Sequence, residues 1–354
     1  MPDWTKSMQQ SFEYYVVDPG TWKDKERLRT VKSCTIQRDS ESDTLGSATI
    51  DVIDALGECY VRVYLVTVQN GVTERFPLGT YLVQTPASSF DGKTRSVSLD
   101  AYTPLLELKD NLPPIGYFVP EGSNIMEQAC ALVNEHTRAP VVATTRDKAL
   151  QYDFIADPSE TWFTFINDLL ANINYTFDID ELGRTLFAPK QDISVMQPVW
   201  TYNDGNSSIL GPEVSMSHDL FGIPNVVEVI HSKGDAQIRV EVVNEDPSSP
   251  TSIQRRGRRI TKRVTDPDTM GVNPTEAEIY EYAQQLLKEL STVEYQVTYT
   301  HAYCPVRPLD CVRLNYAKAG LNGVKAKVIS QSIKCDLGCQ VQETAVFTRT
   351  LWEG

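Results

Sequence analysis

Between residues 29 and 102 apolar and polar side chains alternate, the period-two pattern of strands that bury one face. SATIDVID at 47–54 alternates most cleanly, and CYVRVYLVTV follows at 59–68. Asn70-Gly71 separates this run from TERFPLGTYLVQT, and an Asn-Gly pair between two such runs is the residue choice of a tight hairpin turn. Asp91-Gly92 marks another turn before TRSVSLDAY at 94–102. The pattern predicts an antiparallel meander or barrel of short strands.

The period changes after LELKDNLPPIGYFVPEGS, where Pro113, Pro114, Pro120, Gly116 and Gly122 punctuate a boundary. Ser123 is placed to cap a helix whose apolar positions Ile125, Ala129, Leu132 and Val133 keep helical spacing. A second helix is expected from Asp157-Pro158 through SETWFTFINDLLANI, with proline at an early helical position. YTFDI and RTLFA, joined through Asp180 to Gly183, read as a hairpin. Residues 112–190 therefore predict a small α+β insert.

From about 195 the strand pattern returns, with NVVEVIHS at 225–232 and AQIRVEVVNED at 236–246 flanking Gly234. Asn273-Pro274 opens TEAEIYEYAQQLLKELS, where Ala277, Ile279, Tyr280, Ala283, Leu286 and Leu287 form one apolar stripe. Four further strands, 293–304, 310–317, 323–335 and 339–350, are read as an up-and-down meander. The fold class is mainly β with an α+β insert.

A chain of 354 residues with 41% apolar side chains buries a sizeable core and is expected to form two or three domains. No run of about eighteen apolar residues is present to span a membrane. MPDWTKSMQQ lacks the basic start and apolar block of a secretion signal, so the expectation is a soluble protein made in a cytoplasm. The net charge of −14 opposes general nucleic-acid binding, which relies on clustered Lys and Arg. Seven cysteines, with Cys34, Cys59 and Cys130 scattered singly, fit a secreted disulfide framework poorly.

Candidate chemistry concentrates near the C-terminus. HAYCPVRPLDCVRLNY places His301, Cys304, Asp310 and Cys311 within eleven positions, and SIKCDLGCQ adds Cys335 and Cys339. In an up-and-down meander those four cysteines gather at one end of the sheet. Their C-x6-C and C-x3-C spacings depart from the usual zinc knuckles. Three readings stay open: a metal site, a disulfide between Cys335 and Cys339, and half-buried thiols that behave as small hydrophobes. Asp310, which follows Pro308 by two residues at a turn entering a strand, is assigned turn chemistry. The basic island IQRRGRRITKR at 253–263 reads as a solvated loop and strand start, or as a subunit contact through Arg255, Arg256, Arg258 and Arg259. His136, His218, His231 and His301 sit in separate segments, and no nucleophile elbow, Walker loop or dinucleotide fingerprint is found. No catalytic set is expected, no metal or other cofactor is assigned, and the reading is of a protein that is not an enzyme.

Several stretches, taken in order, resemble one family, the hub proteins of bacteriophage tails and related contractile injection machines, including the T4-type baseplate hub and the late control protein D family. PLGTYLVQTP followed by RSVSLDAYTPLLELKDN resembles the closing of a first hub barrel. VPEGSNIMEQACALVNEH and YTFDIDELGRTLFAP resemble the family's inserted domain. DPSSPTSIQRRGRR, EAEIYEYAQQLLKELS and CPVRPLDCVRLNYAKAGLNGVKAKVISQSI resemble the second barrel. Here Leu309 stands where the family often has Gly, so the turn before Cys311 departs from the pattern.

The resemblance implies two tube-protein-like antiparallel β-barrel domains, 1–111 and 196–354, the latter with a helix at 275–291, around an inserted α+β domain at 112–195. It implies a homotrimer whose barrels form a pseudo-sixfold ring. The ring docks on a hexameric tail tube protein and a trimeric spike or tail-tip protein, inside baseplate wedge or distal tail proteins, and is crossed by tape-measure protein and DNA. It also implies a virion protein of the tail baseplate or tip, assembled in the host cytoplasm, with no membrane insertion by this chain and no sequence-specific nucleic acid. Acidic residues facing such a channel repel DNA in passage. The rival readings are a tail-associated cell-wall hydrolase and a carbohydrate-binding adhesion module, the latter drawing attention to Trp162, for which a buried helix side chain is the plainer account.

Overall fold

A computed structural model of the chain describes residues 1–354 except 55, 91, 94, 206, 207, 234, 235 and 268–273. The predicted Asp91, Gly234 and Asn273 punctuation points lie outside the described residues. The fold is mainly antiparallel β, in two compact units: Met1–Val214 with Thr298–Ala345, and Ser215–Val297 with Val346–Gly354. No helix among the described residues is long and apolar enough to cross a membrane.

In the first unit one large sheet runs, by neighbours, through Lys23–Leu28, Gln9–Asp18, Tyr60–Gln69, Val72–Phe90, Arg95–Tyr102, Gly46–Val52, Val31–Asp39 and Leu321–Lys334. The alternation decides which side chains enter the core. Ala48, Ile50 and Val52, then Val97, Leu99 and Ala101, are all buried on one parity. The predicted hairpin closes with Gln69 opposite Val72, and Asn70 and Gly71 both take positive φ, 51° and 78°. That pair of left-handed residues matches the twist of the flanking strands.

The insert packs helix Ile125–His136 and helix Trp162–Ala171 around Met126, Ala129, Val133, Phe165, Ile166 and Leu169. The first cap is Asn124, not Ser123: the Asn124 carboxamide oxygen accepts from the Met126 and Glu127 N–H groups. The second helix starts later than Asp157-Pro158. Asp157 closes a local turn by accepting from Ser159 N–H at 2.9 Å, and Thr161 caps Trp162–Ala171. The hairpin Tyr175–Ile179 with Thr185–Pro189 is formed as its sequence predicts.

The C-terminal strands form, but not as an up-and-down meander. Cys311–Tyr316 pairs antiparallel with Leu321–Lys334 on one side and parallel with Trp200–Asn203 on the other. Leu321–Lys334 neighbours Gln340–Thr350, which neighbours Thr292–Ala302. Period-two patterning identifies faces and leaves partners open, and here the partner of Cys311–Tyr316 is supplied from a hundred residues away.

In the second unit Ala236–Val243, Val226–Lys233 and Thr261–Thr265 form a three-stranded sheet in that order. Val227, Val229, Val240 and Val242 pack on Ile279, Ala283 and Leu287 of helix Glu276–Leu290. That helix begins with a capping box between Thr275 and Glu278, in which two orphan N–H groups of the first turn are satisfied reciprocally.

Candidate functional site

The chemistry of the first unit lies inside it. On Val31–Asp39 the parity of Cys34 and Ile36 carries a third inward residue, Arg38. Register places Gln331 opposite Arg38. On Gln340–Thr350 the parity of Val341 and Ala345 brings in Glu343. Tyr299 and His301 enter from Thr292–Ala302, and Tyr202 from Trp200–Asn203. An apolar pattern thus contains a polar residue at each of several core positions, and burial obliges those residues to find one another.

They do so as one connected network. Tyr299 donates to Glu343 Oε1, Tyr202 donates to the same oxygen at 3.4 Å, and Gln331 Nε2 donates to Glu343 Oε2 at 2.5 Å. His301 Nε2 lies 3.4 Å from Glu343 Oε2, while His301 Nδ1 faces the Ala302 carbonyl at 2.8 Å. The carbonyl only accepts, so Nδ1 donates to it, while Nε2 faces the Tyr202 hydroxyl at 3.2 Å as well as the carboxylate, a setting that suits a protonated imidazole beside Glu343. Burial acts to lower the pKa of His301, and the hydrogen bonds of Cys304 and Glu343, with the charge of Glu343, outweigh it and raise the pKa to about 10. Burial first, then the charge of Glu343, pushes Tyr202 and Tyr299 well above the ordinary phenol value, so both remain neutral donors.

Gln331 hands the network on: its oxygen accepts from Arg38 at 3.3 Å. Arg38 also donates to the Leu78 carbonyl at 2.7 Å and lies 3.6 Å from Glu181 in the turn of the insert hairpin. Arg307 pairs with Asp178 at 2.5 Å and with Glu181 at 3.6 Å. The Asp310 carboxylate accepts from Arg307 N–H at 2.8 Å, the turn role its position predicts. A cavity of about 40 Å³ is lined by Arg38, Thr80, Phe177, Glu181, Arg307 and Leu309 among others. Leu309 itself holds φ +75°, so the turn keeps a left-handed residue where the resembling family often has Gly. A second buried arginine, Arg62, bonds Thr80 at 2.8 Å, Asp24 at 3.0 Å and the Leu182 carbonyl at 3.1 Å. The hairpin turn Asp180–Gly183 is therefore held by two buried guanidinium groups.

This arrangement is suited to fixing elements, not to turning over a substrate. The His301 and Glu343 side chains are both 0% exposed, and a general base needs hydrogen-bond reach to the proton it removes.

The predicted site residues fall partly inside this network and partly outside it. Cys304 joins Tyr202 at 3.3 Å and His301 at 3.9 Å. Cys311 faces the Val312 carbonyl, and Cys335 meets Cys34 across two strands. Among the described residues no group of three or more His, Cys, Asp or Glu side chains is arranged to hold a metal. Arg255 donates to the Pro247 carbonyl at 2.8 Å, and Arg256 to those of Ile223 and Leu220. Arg259 pairs with Glu241, and Arg258 is exposed. Trp162 is buried and stacks on His136 at 4.1 Å. His218 stacks on Tyr295 at 4.3 Å, and His231 lies 3.5 Å from Asp266. Glu343, Arg38 and Gln331 are the residues sequence reasoning missed, although the alternation of VQETAV already puts Glu343 on the parity of Val341 and Ala345.

No family model matches the sequence, and no curated protein matches it. Solved structures do match. The tail protein of Neisseria meningitidis MC58 superposes with a TM-score of 0.61 at 14% identity, over 97% of this chain and 98% of that one. The 43 kDa tail protein of prophage MuSo2 from Shewanella oneidensis gives 0.60 at 12% identity, over 95% and 98%. A chain of the half-lidded Francisella PdpA–VgrG complex gives 0.53 at 9% identity, over 99% of this chain and 60% of that one. Along nearly its whole length, this chain has the fold of solved phage tail proteins.

Proposed function

We propose that this chain is the central hub of a phage tail or contractile injection baseplate. Three copies, each contributing two tube-like barrels, form a ring that joins a hexameric tail tube to a trimeric spike or tip and lines the channel for tape-measure protein and DNA. The observation that carries the reading is the end-to-end match to two tail proteins, which leaves almost none of either partner uncovered. The buried ion network agrees with it, because its charged groups hold strands and the insert hairpin together instead of facing a substrate. The net charge of −14 suits a channel wall that repels nucleic acid.

Two measurements test the proposal. Native mass spectrometry of the purified protein is expected to give a trimer, and labelled particles seen by negative stain are expected to carry it on the axis of the tail tip. A monomer at micromolar concentration, or a position away from that axis, sinks the hub reading. Clearing of a cell-wall zymogram by this chain alone would replace it with the hydrolase reading.

A further inference from the structure

The seven cysteines are all free thiols, and the function proposed above uses none of them. Cys34, Cys335 and Cys339 are buried and share the surroundings of Tyr14. Cys34 lies on the inward parity of Val31–Asp39, with Ile36 and Arg38. The partner strand stands with Lys334 opposite Thr35, Ile333 opposite Ile36 and Gln331 opposite Arg38. One more step of that register puts Cys335 opposite Cys34, and the Cys335 N–H donates to the Cys34 carbonyl at 3.0 Å. Directly opposed residues of an antiparallel ladder have their Cα atoms about 4.5–5.5 Å apart and point to the same face. A disulfide spans that separation.

We propose that Cys34 and Cys335 are a modification site, a buried dithiol that a small disulfide oxidant converts into a cross-strand disulfide. The sequence alone draws attention to the neighbouring pair, Cys335 and Cys339. The fold selects Cys34 instead, because the register sets it directly opposite Cys335 on the neighbouring strand and the Cys335 N–H donates to its carbonyl. Cys339 is engaged in closing its own turn, with its N–H on the Asp336 carbonyl and φ at 38°.

The chemistry balances with oxidised glutathione as the co-reactant. One thiolate attacks a glutathione sulfur, the glutathione S–S bond breaks, and one glutathione thiolate leaves. The second protein thiolate attacks the protein sulfur of the mixed disulfide and expels the other glutathione thiolate. The protein loses two electrons and two protons, and two glutathione thiols are formed. Cys335 borders the turn that carries Leu337, which is 93% exposed, and we place the approach of the oxidant on that side. The neighbouring Cys34 thiol and burial hold the Cys335 thiol well above its ordinary range, so the reaction is slow near neutral pH and quickens in mild alkali.

Full-length protein incubated with oxidised glutathione, alkylated and digested without reduction tests this. The expected result is one peptide pair linking Cys34 to Cys335 and a fall from seven titratable thiols to five in denaturant. The guanidinium unfolding midpoint should rise, since the link closes a loop containing most of the chain. Cys34→Ala should abolish the linked peptide and Cys339→Ala should retain it, with circular dichroism verifying the fold of each. Cys34→Val serves if the smaller side chain fails to fold. A Cys335–Cys339 peptide, glutathione adducts with no internal link, or seven thiols remaining overturns the proposal. None of these outcomes bears on the hub reading, because no subunit contact enters the inference.

Discussion

His301 and Glu343 form a buried ion pair whose titration sets a pH dependence. The folded-state pKa of His301, about 10, lies above the ordinary value near 6.5. A raised pKa contributes stability that is complete below about pH 6.5 and is lost as pH rises toward 10. The slope is at most about 1.4 kcal/mol per pH unit. Chemical denaturation at pH 7 and at pH 9.5 should show this loss, and Glu343→Gln should flatten it while lowering stability at pH 7. Truncation by Glu343→Ala strands the His301 charge and two tyrosine hydroxyls, and should cost about 3–5 kcal/mol. Leu309 yields an inverted order of substitutions. At φ +75° a side chain with a branched Cβ is the most strained. Leu309→Val should therefore lose roughly 2 kcal/mol, whereas Leu309→Gly, which gives up more apolar surface, should stay within about 1 kcal/mol of wild type. Urea titrations of the two variants decide between strain and burial as the controlling effect. The turn role of Asp310 is legible from Pro308 and the spacing alone, because its partner is three residues away. The roles of Arg38 and Gln331 are not, because each finds its partners across a strand pairing that spans nearly the whole chain.

At the scale of elements, the insert hairpin is fixed by contact as well as charge. Gly183 holds φ +74°, and a Cβ there would stand 2.6 Å from Thr80 Cβ. Gly183→Ala should thus cost roughly 2–4 kcal/mol, from left-handed backbone and overpacking together. Arg62 and Arg38 would then lose carbonyl and carboxylate partners in the displaced turn, so limited proteolysis should cut near Leu182 before any other site. Thr275→Ala removes the capping box of Glu276–Leu290 and should cost about 1 kcal/mol by thermal melt. The stripe of Ile125–His136 and the Asn70-Gly71 and Asp180–Gly183 hairpins can be read from spacing, since each is decided by residues within one turn or one hairpin; of the stripe expected on Glu276–Leu290, Ile279, Ala283 and Leu287 are buried but Ala277 and Tyr280 are exposed. Two things escape such reading. The strands Gln9–Asp18 and Lys23–Leu28 precede the region of clean alternation, and their burial is partial. The pairing of Cys311–Tyr316 with Trp200–Asn203 is a long-range choice made by the packed sheet, not by either segment.

For the molecule as a whole, the trimeric reading carries a consequence for salt. Each copy bears a net charge of −14, so three copies in a ring repel one another, and the repulsion between exposed charges is screened over about 10 Å at 0.1 M salt. A ring held by apolar contact and backbone pairing loses little of its attraction when salt is added, while it loses much of its repulsion. Association should therefore tighten as salt rises from about 10 to 300 mM, by roughly tenfold or more in the dissociation constant, which corresponds to about 1.4 kcal/mol. Sedimentation equilibrium across that range measures it. The opposite trend would mean that ion pairs between subunits dominate, and the basic island is where they would be sought. Its Arg255, Arg256 and Arg259 side chains already have partners within their own chain, and Arg258 is exposed. Arg258→Glu would then weaken the assembly at low salt, whereas an apolar interface leaves that variant with the trimer mass and salt response of wild type.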